Sequence, residues 1–223
     1  NYNSAVATFC HKIAREEEVW ISDTNIELTL VYIDDVVRCL ISSMEDKNSL
    51  SGYAKVDIEH KVTLGKIVEL LNSFVESRSN LMVPNMEDEF TKKLYSTYLS
   101  YLPEDKFSYP LKMNVDNRGS FTEFLKSSDR GQVSINISKP GITKGNHTKN
   151  EKFLVVSGEG LIQFRKIDSE EIIEYKVSGE KLEVIDIPVG YTHNIINTGT
   201  SDMVTVMWVN EVFNPEKPDT IYM

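Results

Sequence analysis

Apolar and polar positions alternate in two rhythms along this chain, and the rhythm changes near Tyr109. Before it, apolar residues recur at spacings of three and four, as on one face of a helix. Val6, Phe9, Cys10, Ile13 and Ala14 form the first such stripe, with Asn3 placed to cap it. Asp34 or Asp35 caps a second helix carrying Val36, Val37, Leu40 and Ile41, and Thr63 opens a third whose inner face is Ile67, Leu70, Leu71 and Phe74. Short strands are expected over residues 19–21 and 28–32, with Asp23-Thr24-Asn25 as the turn between them. The resulting order of short strands and helices amounts to part of an α/β domain. Residues 82–86 read as a linker and 87–101 as a helix rich in Lys, Leu and Tyr, stopped by Leu102-Pro103-Glu104-Asp105. Tyr95, Tyr98 and Tyr101 fall three apart on that helix and read as packing residues between two domains.

After Tyr109 the period becomes two. Strands are expected over residues 132–138, 152–156, 161–167, 172–177, 182–187, 192–196 and 203–209. Seven or eight antiparallel strands without helices are most economically closed into a small barrel, because closure removes exposed edges.

Composition narrows the function. Of 223 residues, 24 are basic and 34 acidic, a net charge of −10 that disfavours phosphate backbones, so nucleic acid is not an expected partner. No run of 18 apolar residues and no basic-then-apolar leader is present, so neither membrane insertion nor export is expected, and a cytoplasmic location is. In that setting Cys10 and Cys39 read as reduced core residues, and Asn136-Ile137-Ser138 and Asn146-His147-Thr148 carry no glycosylation meaning. The chain opens on Asn1 without Met and reads as a fragment of something longer.

The chemistry-bearing residues concentrate between Gly141 and Asn197. Gly141, His147, Glu151 and Gly158 form one half-motif, and Pro188-x-Gly190-x-x-His193-x-x-x-Asn197 a second. Pro188 and Gly190 suit a tight turn, after which His193 and Asn197 face one side of the next strand. The pair resembles the cupin double motif, in which two hairpins point His and Glu into a barrel mouth. The second half matches well. The first is two or three residues short, with His147 and Glu151 four apart and Lys149 where cupins carry a second His.

The resemblance implies zinc held by His147, Glu151 and His193, where an ion can polarise a sugar ketone. Alternatively His147 is itself the base, with Tyr191 returning a proton from the opposite face. Asp116-x-Arg118-Gly119-x-Phe121-x-Glu123 resembles the opening of dTDP-sugar 3,5-epimerases, which makes Arg118 a candidate for a nucleotide diphosphate. Gln163 and Arg165, two apart on one strand, are expected to line the interior and contact substrate.

The runs NYNSAVATFCHKIA, LTLVYIDDVVRCL and KVTLGKIVELL resemble the substrate-binding part of an extended short-chain dehydrogenase/reductase acting on nucleotide sugars. Neither Gly-x-x-Gly-x-x-Gly nor Tyr-x-x-x-Lys occurs, so this chain alone is expected to bind no nicotinamide cofactor. With the joining run FTKKLYSTYLSYLPEDKFSYPLK, the whole resembles the bifunctional enzymes of capsular-polysaccharide synthesis. That resemblance implies an α+β chain: a partial reductase region over 1–82, a helical linker over 83–108 and a jelly-roll-like cupin over 109–223. It implies a cupin epimerising C3 of a UDP-4-keto-6-deoxy-N-acetylhexosamine, and a reductase using NADPH on the 4-ketone towards UDP-N-acetyl-L-fucosamine, in a cytoplasmic homodimer. Two alternatives stand beside it: a non-catalytic sugar-binding or dimerisation cupin, and a metal-dependent oxygenase or isomerase on the same barrel.

Overall fold

The computed structural model describes residues 4–45, 53–145 and 149–212. The chain divides into two units, Asn1–Ser79 with Pro84–Ser108, and Asn80–Val83 with Tyr109–Met223. In the first, the cap of helix α1 (Ala5–Ile13) is Ser4, whose hydroxyl accepts from the Ala7 N–H at 3.5 Å. Asn3, the expected cap, lies outside the described residues. Residues 19–21 form no strand: the chain turns at Glu16, where φ is 62°, and Val19 and Ile21 pack against the apolar cluster as irregular backbone. Strand β1 (Glu27–Leu30) precedes helix α2 (Ile33–Glu45), which carries Asp34 and Asp35 inside its first turn, where they complement the helix dipole. Strand β2 (His60–Thr63) pairs antiparallel with β1, so the described residues of this unit hold a two-stranded antiparallel sheet in place of the parallel strands of an α/β region.

Helix α3 (Leu64–Asn80) begins where the Thr63 hydroxyl accepts from the Lys66 N–H at 3.2 Å, and buries Ile67, Leu71 and Phe74 as its spacing predicts. Helix α4 (Glu89–Ser100) is capped by Asp88, which accepts from the Thr91 N–H at 2.7 Å, and ends before Pro103. Its Leu94 and Tyr98 join Phe74 in the core, and Tyr95 meets the Phe74 ring edge-on at 5.0 Å. The segment expected to be a linker is therefore structural within the first unit, and Tyr95 and Tyr98 pack inside that unit. Cys10 and Cys39 are free thiols; burial pushes the Cys10 thiol up to about 12. Among the described residues no helix is long and apolar enough to cross a membrane.

Among the described residues the second unit holds ten strands. They are β3 (Met113–Asp116), β4 (Gly119–Ser127), β5 (Gly131–Ser138), β6 (Thr143–Gly145), β7 (Glu151–Ser157), β8 (Glu159–Lys166), β9 (Ile172–Ser178), β10 (Val184–Ile187), β11 (Tyr191–Asn197) and β12 (Met203–Val209). A six-stranded sheet in the order β10-β7-β12-β5-β4-β3 faces a four-stranded sheet in the order β6-β11-β8-β9, and the named strand pairs are antiparallel, giving a jelly-roll-like barrel. Phe153, Val155, Ile162, Phe164, Ile195 and Met203 fill the space between the sheets. The seven expected strands lie within a residue or two of observed ones, whereas the edge strands β3 and β6 and the interior strand β4, paired with both β3 and β5, were not revealed by the alternation. Gly119 opens β4 at φ +135°, where a Cβ would fall 2.0 Å from the Ile137 carbonyl oxygen, so only glycine fits.

Candidate active site

Strand register decides which side chains share the barrel interior. On β11, His193 pairs with Phe164 of β8, and Tyr191, His193, Ile195 and Asn197 alternate onto the inner face. Gly190, in the turn before β11 at φ +89°, makes the expected bend. Asn197 is fully buried and clamps the barrel, donating to the Ser138 and Ser201 carbonyls at 2.7 and 2.8 Å while accepting from the Gly199 N–H at 3.0 Å. Its predicted position holds, and its work is structural.

His193 and Glu151 come together from opposite sheets. His193 is 2% exposed and Glu151 7%, with Nε2 and Oε2 3.2 Å apart. The Phe153 ring stands edge-on to the imidazole at 5.1 Å and shields it. Two cavities meet at this pair. One, of about 460 Å3, is lined by Arg118, Asn136, Lys144, Phe153 and His193 among others. The second, of about 410 Å3, is lined by Glu123, Gln132, Ser134, Glu151 and Met207 among others, and both share Asn114, Phe121 and Met207.

Lys144, missed in the sequence, is the cation set deepest in the first cavity. It pairs with Ile195 across β6 and β11, which turns it to the same face as His193. Its ammonium donates to Asn136 Oδ1 at 2.8 Å and to the Ile137 carbonyl at 2.7 Å. Burial lowers its pKa, a charge held largely by neutral acceptors. A lone Lys in a three-residue strand carries no motif, and its value appears only once the pairing is known.

Arg118 lines the same cavity from the turn between β3 and β4, held by Asp116 through contacts of 2.7 and 2.9 Å. The Arg118 side chain holds the Asp116 carboxyl below its usual range. Gln163 and Arg165 do not line the interior: they flank Phe164, whose partner is His193, and so occupy the opposite face of β8. There Gln163 donates to Glu174 at 2.7 Å and Arg165 lies 3.8 Å from Glu170. Tyr191 shares the face of His193 and packs against the apolar cluster, but it lines neither cavity. His147 lies outside the described residues.

Among the described residues no three potential ligands group around one point. The pair itself fits a zinc ion by chemistry: an imidazole nitrogen and a carboxylate oxygen on one ion at about 2.0–2.2 Å sit roughly 3.3 Å apart, close to the 3.2 Å found.

Residues 114–221 match the polysaccharide biosynthesis C-terminal domain family. Over 100% of its length the chain superimposes on the crystal structure of the capsular polysaccharide assembling protein CapF from Staphylococcus aureus, at 62% identity and a TM-score of 0.95. Along its whole length the chain is thus similar to CapF. A crystal structure of CapF with the inhibitor 3-isopropenyl-tropolone agrees equally, at 62% identity and a TM-score of 0.95, the match covering 66% of that chain. A UDP-2-acetamido-2,6-beta-L-arabino-hexul-4-ose reductase of Pseudomonas aeruginosa is 46% identical over 99% of this chain. The chain spans 60% of that reductase and 62% of the Staphylococcus aureus CapF chain, so it corresponds to part of each of these relatives.

Proposed function

We propose that the barrel is the epimerase module of a bifunctional nucleotide-sugar enzyme of capsule synthesis, exchanging the C3 proton of a UDP-4-keto-6-deoxy-N-acetylhexosamine. The observation that carries this reading is the buried His193–Glu151 pair at the meeting of two cavities, 3.2 Å apart. Glu151 fixes the imidazole, and His193, shielded from water by Phe153, is placed to take a proton made acidic by the neighbouring ketone. Lys144 and Arg118 form the cationic end, suited to the diphosphate. Tyr191 lines neither cavity, so Lys144, which lines the first, is the alternative candidate to return the proton. Zinc, where bound, would be held by His193 and Glu151 with His147 from the sequence motif and would supply Lewis acidity to the ketone oxygen; His193 would then be a ligand, and its role as base belongs to the metal-free site.

In the longer enzyme, the reductase portion would reduce the 4-ketone with NADPH towards UDP-N-acetyl-L-fucosamine. The exposed apolar stripe of α2, Ile33, Val37, Leu40, Ile41 and Met44, is the surface on which we place its dinucleotide-binding part. A cytoplasmic homodimer fits the same reading.

Deuterium uptake at C3 in heavy water, with and without added zinc, tests the reaction. The parent chain should exchange, and His193→Ala and Glu151→Gln should slow exchange by about 100-fold or more. A folded parent that shows no exchange under either metal condition rejects the epimerase. Nucleotide-sugar binding without exchange would instead support the non-catalytic sugar-binding reading.

A further inference from the structure

The two cavities differ in charge and in lining, and the difference bears on which sugar the barrel accepts. The first carries Asp116, Arg118 and Lys144, a balance of one positive charge; the second carries Glu123, Lys149, Glu151 and Glu211, a balance of two negative charges. A diphosphate is drawn to the first, which leaves the sugar to enter the second. Register fixes what waits there. On the inner face of the six-stranded sheet Gln132 lies directly across from Val209 of β12, and Val209 directly across from Glu151 of β7. The next row is Ser134, Met207 and Phe153. Gln132 and Ser134 are each 2% exposed. Gln132 and Glu151 thus stand two strand spacings apart, about 10 Å, with an apolar floor of Val209 and Met207 between them.

We infer that this compartment is the specificity subsite for an acetamido group on the carbon beside the reacting one. The inference rests on the nucleotide-sugar reading above. An acetamido group needs an acceptor for its N–H, a donor for its carbonyl and an apolar wall for its methyl. The Gln132 carboxamide carries both a donor and an acceptor, and Val209 with Met207 supplies the wall. A 2-hydroxyl in its place leaves the methyl volume unfilled and offers neither the carbonyl nor the N–H of an amide, and that loss is the source of discrimination. With C3 at the His193–Glu151 pair, the substituent on C2 lies one bond from the reacting carbon and reaches over Val209 towards Gln132.

Calorimetric binding of UDP-N-acetylglucosamine and UDP-glucose, both inert to enolisation, tests the subsite apart from catalysis. The parent chain should prefer the acetamido sugar by about tenfold or more. Gln132→Leu, which keeps the volume and removes the amide, should abolish most of that preference while leaving UDP-glucose affinity within about twofold. Gln132→Met serves as a second variant of similar shape, and thermal melting confirms that each is folded. Equal affinities in the parent, or a preference that survives both substitutions, overturns the subsite while leaving the barrel a nucleotide-sugar site. No binding of either sugar by the parent overturns the site reading and the subsite with it.

Discussion

The interiors of the two units are built on opposite terms. In the first, the buried residues Phe9, Ile67, Leu71, Phe74 and Leu94 are apolar, and Asp35 and Thr91 are the polar exceptions among the described residues. In the barrel, Gln132, Ser134, Asn136, Ser138, Glu151, His193, Asn197 and Thr205 are buried alongside the apolar cluster. Burying a polar group costs free energy unless a partner replaces water. Some partners are visible: Asn136 meets Ser138 and Lys144, and Asn197 clamps the 138 and 201 carbonyls. Gln132, Ser134, Glu151 and His193 line the two cavities. The first unit spends its interior on cohesion, and the barrel spends part of its own on recognition.

The largest expected effect lies where burial is purely apolar. Phe74 is 1% exposed and touches both Tyr95 and Tyr98. Phe74→Ala should cost about 3–5 kcal/mol in urea unfolding; a loss under about 1 kcal/mol would mean that the helices of the first unit collapse around the gap. Lys144→Met should behave in the opposite manner. It should weaken UDP binding by about tenfold without lowering the melting temperature, because burial already disfavours the ammonium. The sign with pH follows. The folded pKa of Lys144 is depressed, so the unfolded chain holds the proton more tightly, and the parent should gain stability relative to the variant as pH rises through the lowered value. A melting temperature that falls together with UDP affinity would make Lys144 a structural residue.

Asp35 offers the contrasting titration in the first unit. Lys93 donates to it at 2.9 Å and Arg38 at 2.9 Å, and the Lys93 hydrogen bond, aided by Arg38, holds the carboxyl below its usual range against the opposing effect of burial. A depressed carboxylate pKa stabilises the fold above its unfolded value and loses that contribution as pH falls through the folded one. Asp35→Asn should therefore lower the melting temperature at neutral pH, and the gap to the parent should close below about pH 4. A gap that persists unchanged at low pH would show that the loss comes from packing.

The same contrast explains what the sequence made legible. Helical spacing identified Ile67, Leu71 and Phe74 as inward, whereas the equally regular stripe of α2, with Val37, Leu40 and Ile41, is exposed, so spacing marks a stripe without saying what covers it. Strand alternation located the barrel strands but not which face turns in. In Gly131–Ser138 the apolar Val133, Ile135 and Ile137 are half-exposed and the polar Gln132, Ser134, Asn136 and Ser138 are buried. Gln163 and Arg165 were paired correctly with each other and assigned to the wrong face, because Phe164 between them takes the register of His193. The cupin spacing singled out Glu151 and His193, whose meeting at 3.2 Å depends on contacts between opposite sheets. Lys144 and Gln132 carried no local signal, since their roles come from cross-strand neighbours far away in the chain.

Thr205 gives the smallest and sharpest test of the barrel's terms. It is fully buried on β12, and among the described residues its hydroxyl oxygen has no hydrogen-bond partner. Its neighbours across the sheet are Asn136 and Val155, one polar and one apolar. If the hydroxyl served cohesion, Thr205→Val would cost stability. An orphaned buried hydroxyl carries its desolvation penalty without return, so the substitution should be neutral or stabilising by up to about 1 kcal/mol in denaturant unfolding. Calorimetry with UDP-N-acetylglucosamine then separates the two explanations for keeping it. Stability gained while affinity falls would place the hydroxyl with the ligand-facing polar set around Asn136, and stability gained at unchanged affinity would confine that set to Gln132, Ser134 and Asn136. A loss of stability would mean that the polar interior of the barrel contributes to cohesion after all, and the contrast with the first unit would narrow accordingly.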